Sequence, residues 1–152
     1  MGKYYLAVNE NEQHPVCKRG WGNGYVLVPK SSILYGRHYM DRVVKKVADA
    51  LVQIGDVFVL PENIEFDFPY LFNDIDVHYG ITWSALAGEL KYKEFEFIGD
   101  APTQPLEGYW AFGFDTAHCD DCLENRPKEW VIEETLSFAN QLLELERKLI
   151  KK

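Results

Sequence analysis

The residues after Pro127 constrain the fold most strongly, because their apolar side chains recur at the spacing of an α-helix. In the stretch KEWVIEETLSFANQLLELERKLIKK these residues lie three and four positions apart, and we expect one face to consist of Val131, Thr135, Phe138, Leu142, Leu145 and Leu149. Glutamates lie early and lysines late, as the helix dipole favours. A long amphipathic helix of this kind needs an apolar surface to pack against.

Most of the chain before this helix consists of short apolar or alternating runs, which are typical of β-strands. We predict strands at 3–8, 24–29, 56–61, 76–83, 92–99 and 108–115. The last of these is the most apolar and is expected at the centre of the sheet. Helical spacing predicts a second helix over 40–55, with its apolar face at Met40, Val43, Val44, Val47, Leu51 and Ile54. This order of elements predicts an α+β fold, a mostly antiparallel sheet with two main helices against it.

Composition bounds the class of protein. At 152 residues with 47% hydrophobic side chains, the chain fits a single domain spanning residues 1–152. Its formal net charge of -8 argues against binding to nucleic-acid backbones, which needs clustered Lys and Arg. No apolar run approaches the ~20 residues of a membrane span, and the N-terminus lacks the apolar core of a signal peptide. Three cysteines in such a chain are typical of reduced thiols, so we expect a cytoplasmic location.

The segment GYWAFGFDTAHCDDC, residues 108–122, runs from the predicted central strand directly into carboxylates, thiols and an imidazole. Cys119 and Cys122 have Cys-x2-Cys spacing, and His14 and Cys17 lie at the same spacing far upstream. The four residues supply three sulfurs and one imidazole, a complete tetrahedral set for a structural zinc ion. The alternative is that the thiols are reduced and unligated and that His14 is an ordinary loop residue.

A second hypothesis uses the other polar side chains. Asp115 and His118 follow the predicted central strand and Asp121 comes three residues later. His78 lies in another predicted strand, so that the four side chains converge at one rim if the two strands are neighbours. Two imidazoles and two carboxylates can hold a catalytic divalent metal or act as a general acid and base. The alternative is a turn that Asp115 caps, with the other side chains solvated or bonded to the backbone.

Three motifs, GYVLVPKSSILYGRHY, DVHYGITWSA and GYWAFGFDTAHCDD, resemble a set of small uncharacterised proteins encoded by bacteriophages, prophages and mobile elements. The matched positions are Gly24, Tyr25, Val26, Pro29, Tyr35, Gly36, Val77, His78, Gly80, Ile81, Thr82, Gly113, Phe114, Asp115, Ala117, His118 and Asp121. The pattern has glycine where this chain has Tyr79, which implies a narrower pocket around His78. The resemblance implies a phage-associated accessory protein with a common site at His78, Asp115, His118 and Asp121, and it does not include the cysteines.

Two classes of function follow. In the first, the His/Asp pocket binds, and can hydrolyse, a small polar ligand such as a nucleotide, with His118 as the acid or base. In the second, the chain is an acidic interaction module or an inhibitor that covers a basic surface of a host protein, and the His/Asp/Cys cluster is purely structural. The acidic patch expected for that class includes Glu62, Glu65 and Asp67.

Overall fold

A computed structural model of the protein describes residues 3–41, 52–54, 57–59 and 70–150. Its strands are β1 (Tyr5–Glu10), β2 (Gly22–Pro29), β3 (Val52–Ile54), β4 (Val57–Val59), β5 (Trp83–Leu86), β6 (Glu96–Phe97) and β7 (Tyr109–Phe114). Five of them form one antiparallel sheet in the order β5-β7-β2-β1-β6, while β3 and β4 pair with each other. Together with a C-terminal α-helix, α1 (Lys128–Ile150), this is an α+β fold.

The two faces of the sheet bury different side chains, because successive residues of a strand point to opposite sides. On one face α1 covers a core formed by Val8, Val26, Val28, Phe112, Phe114, Val131, Phe138 and Leu142. On the other face a smaller core is formed by Tyr25, Leu27, Ala87, Leu90, Tyr109 and Ala111. Two 3-10 helices, Ala87–Tyr92 and Leu106–Gly108, lie on this second side. The sheet therefore has both of its faces at least partly covered.

The predicted C-terminal helix is confirmed, and its buried face nearly matches the periodicity. Of the six residues expected on this face, all but the half-buried Leu145 are buried. Glu146 is also buried, and Tyr4 Oη donates a 2.8 Å hydrogen bond to its carboxylate. The helix approaches the sheet closely at Gly24, where a Cβ would lie 2.1 Å from Thr135 Oγ1. Only glycine fits there.

Three local predictions are wrong. Residues 76–80 form a turn and not a strand, and pairing starts only at Trp83. The predicted second helix cannot extend to Ile54, because Val52–Ile54 is a strand, while residues 42–51 lie outside the described residues. The strand expected at the centre of the sheet, β7, is an interior strand between β2 and β5, but the middle strand of the five is β2.

Two other strand predictions are right in position. The strand within 92–99 is limited to Glu96–Phe97, and within 56–61 the described strand is Val57–Val59. The acidic residues 62, 65 and 67 fall outside the described residues. In the described part of the chain, no helix combines the length and the hydropathy needed to cross a bilayer.

Candidate functional site

The loop between β7 and α1 is fixed to the start of β2 by hydrogen bonds. Gly20 N–H donates to Thr116 O and Trp21 N–H donates to Arg126 O, each at 2.7 Å. The buried Thr116 hydroxyl donates to Gly22 O, also at 2.7 Å. The loop is therefore anchored near both of its ends, at Thr116 and Arg126, to the segment that leads into β2.

Within this loop a tight turn directs Asp121 inward. Asp121 N–H donates to His118 O at 2.9 Å, and His118 N–H donates back to Asp121 Oδ2 at 3.0 Å. Asn125 closes the following turn, since its Oδ1 accepts from Cys122 N–H at 2.9 Å and its Nδ2 donates to Asp120 O at 2.7 Å. The Asp121 side chain is completely buried as a result.

His78 reaches the same place from the turn 76–80. Gly80 N–H donates to Val77 O at 2.7 Å, and Val77 is buried. Gln141 on α1 anchors the turn twice, because its Oε1 accepts from Asp76 N–H at 2.6 Å and its Nε2 donates to Asp76 O at 2.9 Å. The edge strand β5 follows this turn and pairs with β7, so the expected neighbour relation exists even though His78 itself is not in a strand.

The three side chains meet at ligand distances. His78 Nε2 lies 2.8 Å from Asp121 Oδ1, and His118 Nδ1 lies 3.4 Å from Asp121 Oδ2. We call His78, His118 and Asp121 the His–Asp group; one ligand atom from each lies within 4.8 Å of the others, so the group can hold a metal ion. Two ligands of one metal, each about 2.0–2.2 Å from it and roughly 90–109° apart, are separated by roughly 2.8–3.6 Å. Both distances to the Asp121 carboxylate fall in this range.

Two buried polar atoms beside Asp121 have no hydrogen-bond partner, namely His118 Nδ1 and Arg126 Nε. His118 Nδ1 is 3.3 Å from Asp115 Oδ1 and 3.4 Å from Asp121 Oδ2, and Arg126 Nε is 3.3 Å from Asp121 Oδ1. These contacts are short, but none has hydrogen-bond geometry. Unpartnered buried polar atoms are rare and commonly mark an ion, a water molecule or a reacting group.

Aromatic rings enclose the group. Tyr79 stacks on His118 with ring centroids 3.9 Å apart and planes at 8°, and Trp130 meets His78 edge-on at 5.1 Å. The Arg126 guanidinium lies 4.5 Å above the Trp130 ring. Tyr79 has a φ of 58°, a left-handed conformation that costs an L-residue roughly 1–2 kcal/mol and that favours glycine.

Arg126, Trp130 and Glu134 belong to the site and were missed from the sequence. The pKa of Glu134 is raised, chiefly by burial and also by the nearby charge of Asp76. The charges of His78 and Arg126 and a backbone hydrogen bond with His78 act in the opposite direction and lower this pKa. The three residues are spaced four apart and directly follow the His–Asp segment. Trp130 and Glu134 lie one turn apart on α1, so their spacing was the signal available for them, whereas Arg126 precedes the helix.

The four residues of the zinc hypothesis are called the cysteine set: His14, Cys17, Cys119 and Cys122. Among the described residues, the ligand grouping that satisfies metal-binding distances is the His–Asp group, and the cysteine set forms no such group. His14 Nδ1 accepts from Val16 N–H and Cys17 N–H at 3.1 and 3.4 Å, Cys17 and Cys119 are exposed, and Cys122 is half-buried. The two halves lie near each other, since one surface pocket is lined by Gln13, Lys18, Arg19, Cys122, Leu123 and Glu124.

The four residues predicted for a polar pocket do come together. His78, His118 and Asp121 form the His–Asp group, and Asp115 joins it through the 3.3 Å contact with His118 Nδ1. Asp115 also accepts a 3.0 Å hydrogen bond from Ala117 N–H, as expected of a residue that caps a turn. Their role in catalysis stays a prediction. No family model, curated protein or solved structure matches the chain.

Proposed function

We propose that the His–Asp group binds one divalent transition-metal ion and presents it to a small polar ligand. The observation that supports this most directly is the convergence of the three ligand atoms within 4.8 Å around a completely buried carboxylate. The unpartnered His118 Nδ1 supports it independently, because a metal ion would supply the partner that this buried atom lacks.

The donor set favours a transition metal over Mg²⁺ or Ca²⁺. Two imidazoles suit Zn²⁺, Fe²⁺ or Co²⁺, whereas the hard cations prefer oxygen ligands. Three protein ligands also leave at least one coordination position open, which is typical of catalytic sites; structural zinc sites are closed by four protein ligands. The proposed centre is therefore one at which an external ligand can bind the metal.

The finer part of the proposal is that the external ligand is a small polar molecule, such as a nucleotide, and that the site can hydrolyse it. A metal of this kind makes its bound water acidic enough to yield hydroxide near neutral pH. Asp115 is the carboxylate available to take up the proton, since it contacts His118 and its side chain is 35% exposed. The phage-associated role and the cytoplasmic location belong to the same proposal and rest on the sequence.

Titration of Zn²⁺ and Co²⁺ into metal-stripped protein, followed by calorimetry and by the visible spectrum of bound Co²⁺, tests the proposal. We expect one ion per chain. Asp121→Asn and His118→Ala should each weaken binding by about 100-fold or more, because each removes a direct ligand. His118 is partly exposed, so its variant keeps the test valid if the Asp121 variant does not fold.

Two controls separate this site from its competitors. Asp120→Asn changes the exposed neighbour of Asp121 and should leave the affinity unchanged. Cys119→Ser combined with Cys122→Ser should also leave it unchanged; loss of zinc in that double variant, with retention in Asp121→Asn, would replace the proposal with the structural zinc site. No binding by the wild-type protein would contradict both.

A further inference from the structure

We infer that Tyr79 is a positioning residue of the proposed metal centre: its ring fixes the plane of the His118 imidazole, and the chain retains a strained backbone at this point to place it there. The inference rests on the proposed function and names a residue that is not itself a ligand. Three features of Tyr79 support it, namely its backbone conformation, its exposure and its ring contacts.

The backbone conformation at Tyr79 is one that glycine adopts without strain. The turn is closed by the 2.7 Å hydrogen bond from Gly80 N–H to Val77 O, so Tyr79 is its third residue. Its φ of 58° is followed by a φ of 82° at Gly80. A positive φ at the third position of such a turn normally requires glycine or asparagine. Tyr79 is also the one non-glycine residue with a positive φ in the described part of the chain.

Burial does not explain why a tyrosine occupies this position. Tyr79 is 60% exposed, so most of its ring gains nothing from the hydrophobic core. Strained residues persist when the surrounding structure holds them, and they concentrate at functional sites. The explanation must therefore come from the part of the ring that is in contact.

That contact is with both imidazoles of the His–Asp group. Tyr79 stacks on His118 at 3.9 Å and 8°, and it meets the edge of His78 at 4.7 Å and 90°. No hydrogen bond fixes His118 through Nδ1, and the His78 ring lies 5.6 Å away from it, edge-on. The stack with Tyr79 is thus the closest ring contact that sets the plane of His118.

The plane of an imidazole determines whether it can bind a metal, because the nitrogen lone pair lies in the ring plane. A ring that rotates freely loses conformational entropy when it binds a metal, whereas a ring that is already held in place loses less. Residues that orient ligands from outside the coordination sphere typically change metal affinity by about 10- to 100-fold. Tyr79 fits this role.

The test compares Tyr79→Gly, Tyr79→Asn and Tyr79→Phe with wild type in two readouts, Co²⁺ affinity and thermal stability. Glycine and asparagine both accept a left-handed backbone, so each relieves strain and removes the stack. We expect their Co²⁺ affinity to fall by about 10-fold while Tm is kept or raised. Phenylalanine keeps the stack and should restore the affinity to within about twofold of wild type.

A matched control is available at Tyr39, which stacks on His38 at 4.5 Å and 24°, apart from the His–Asp group. Tyr39→Gly removes a similar stack without strain relief, so Tm should not rise and Co²⁺ affinity should stay unchanged. A purely structural Tyr79 would show the opposite pattern, with Tm falling and affinity retained in Tyr79→Gly. That result overturns the inference and leaves the proposed function intact. Failure of the wild-type protein to bind metal overturns both.

Discussion

Residues 118–122 contain side chains of both candidate metal sites, and the fold treats the two sets in opposite ways. His118 and Asp121 are three residues apart and so are Cys119 and Cys122, offset by one position. The turn can direct only one of these pairs inward. Asp121 is 1% exposed and meets two imidazoles, whereas Cys119 is exposed and Cys122 only half-buried. The two pairs therefore have the same spacing in the sequence, but only His118 and Asp121 belong to a group that can hold a metal ion among the described residues.

Hydrogen bonds decide between the pairs. Asp121 Oδ2 accepts from His118 N–H at 3.0 Å, which pins the carboxylate to the inside of the turn. In the cysteine set, His14 Nδ1 accepts hydrogen bonds from the backbone of its own loop, and no such bond directs Cys119 or Cys122 toward it among the hydrogen bonds of the described residues. The backbone hydrogen bonds of a turn, which a short sequence motif does not show, therefore determine which of its side chains point inward.

The largest effect expected from this comparison is on stability. Asp121→Ala should lower the free energy of unfolding by about 3 kcal/mol, because it leaves Arg126 beside a vacated buried position and removes the acceptor of His78. Asp120→Ala, one residue away and exposed, should change it by less than about 0.5 kcal/mol. Urea unfolding of the two variants gives the difference. Similar losses of unfolding free energy in both variants would contradict the prediction, because they would mean that the buried position of Asp121 does not add to stability.

Much of the fold followed from periodicity. The spacing in α1 predicted the helix, because its burial repeats with the helical period. The apolar runs of β1, β2 and β7 predicted strands, and β2 and β7 are buried almost continuously because both faces of the sheet are covered there. The turn 76–80 was missed because DVHYGITW alternates like a strand. Its actual shape depends on two left-handed residues and on Gln141, which lies 65 positions later in the chain. Tertiary anchors of that kind leave no local signal.

The site was predictable in its residues and not in its geometry. The approach of His78 to Asp121 required β5 beside β7, a pairing that the sequence allowed and did not require. Trp130 and Glu134 could have been found from their four-residue spacing at the start of the predicted helix, whereas Arg126 precedes that helix. The left-handed Tyr79 could not, since tyrosine is an unfavourable residue for that conformation.

A smaller effect on stability is expected at Gln141, which anchors the turn that carries His78. Gln141→Ala removes two partly solvated hydrogen bonds to Asp76 and should cost about 1 kcal/mol. It should also weaken metal binding several-fold if the His–Asp group is the site, since the cysteine set includes no residue of that turn. Ser137→Ala, which removes only the 3.1 Å bond between Ser137 and Gln141, is the matched control. Unchanged affinity in Gln141→Ala, measured by calorimetry, would favour the cysteine set.

The smallest effect concerns pH. The pKa of Glu134 is raised above 4.5, chiefly by burial, so the folded protein holds this proton more tightly than the unfolded chain. Stability from this group is therefore complete below pH 4.5 and is lost as pH rises through the folded-state pKa. Glu134→Gln cannot ionise and should be more stable than wild type at pH 7 by about 0.3 kcal/mol, a small value because the side chain is partly solvated.

Urea curves of wild type and Glu134→Gln at pH 4 and pH 7 check both the sign and the window. The two proteins should match at the lower pH and separate at the higher one. A variant less stable than wild type at pH 7 would contradict the prediction, and would mean that the attraction of His78 and Arg126 for the carboxylate outweighs its burial. The charges of His78 and Arg126 would then keep Glu134 ionised in the folded protein despite its burial.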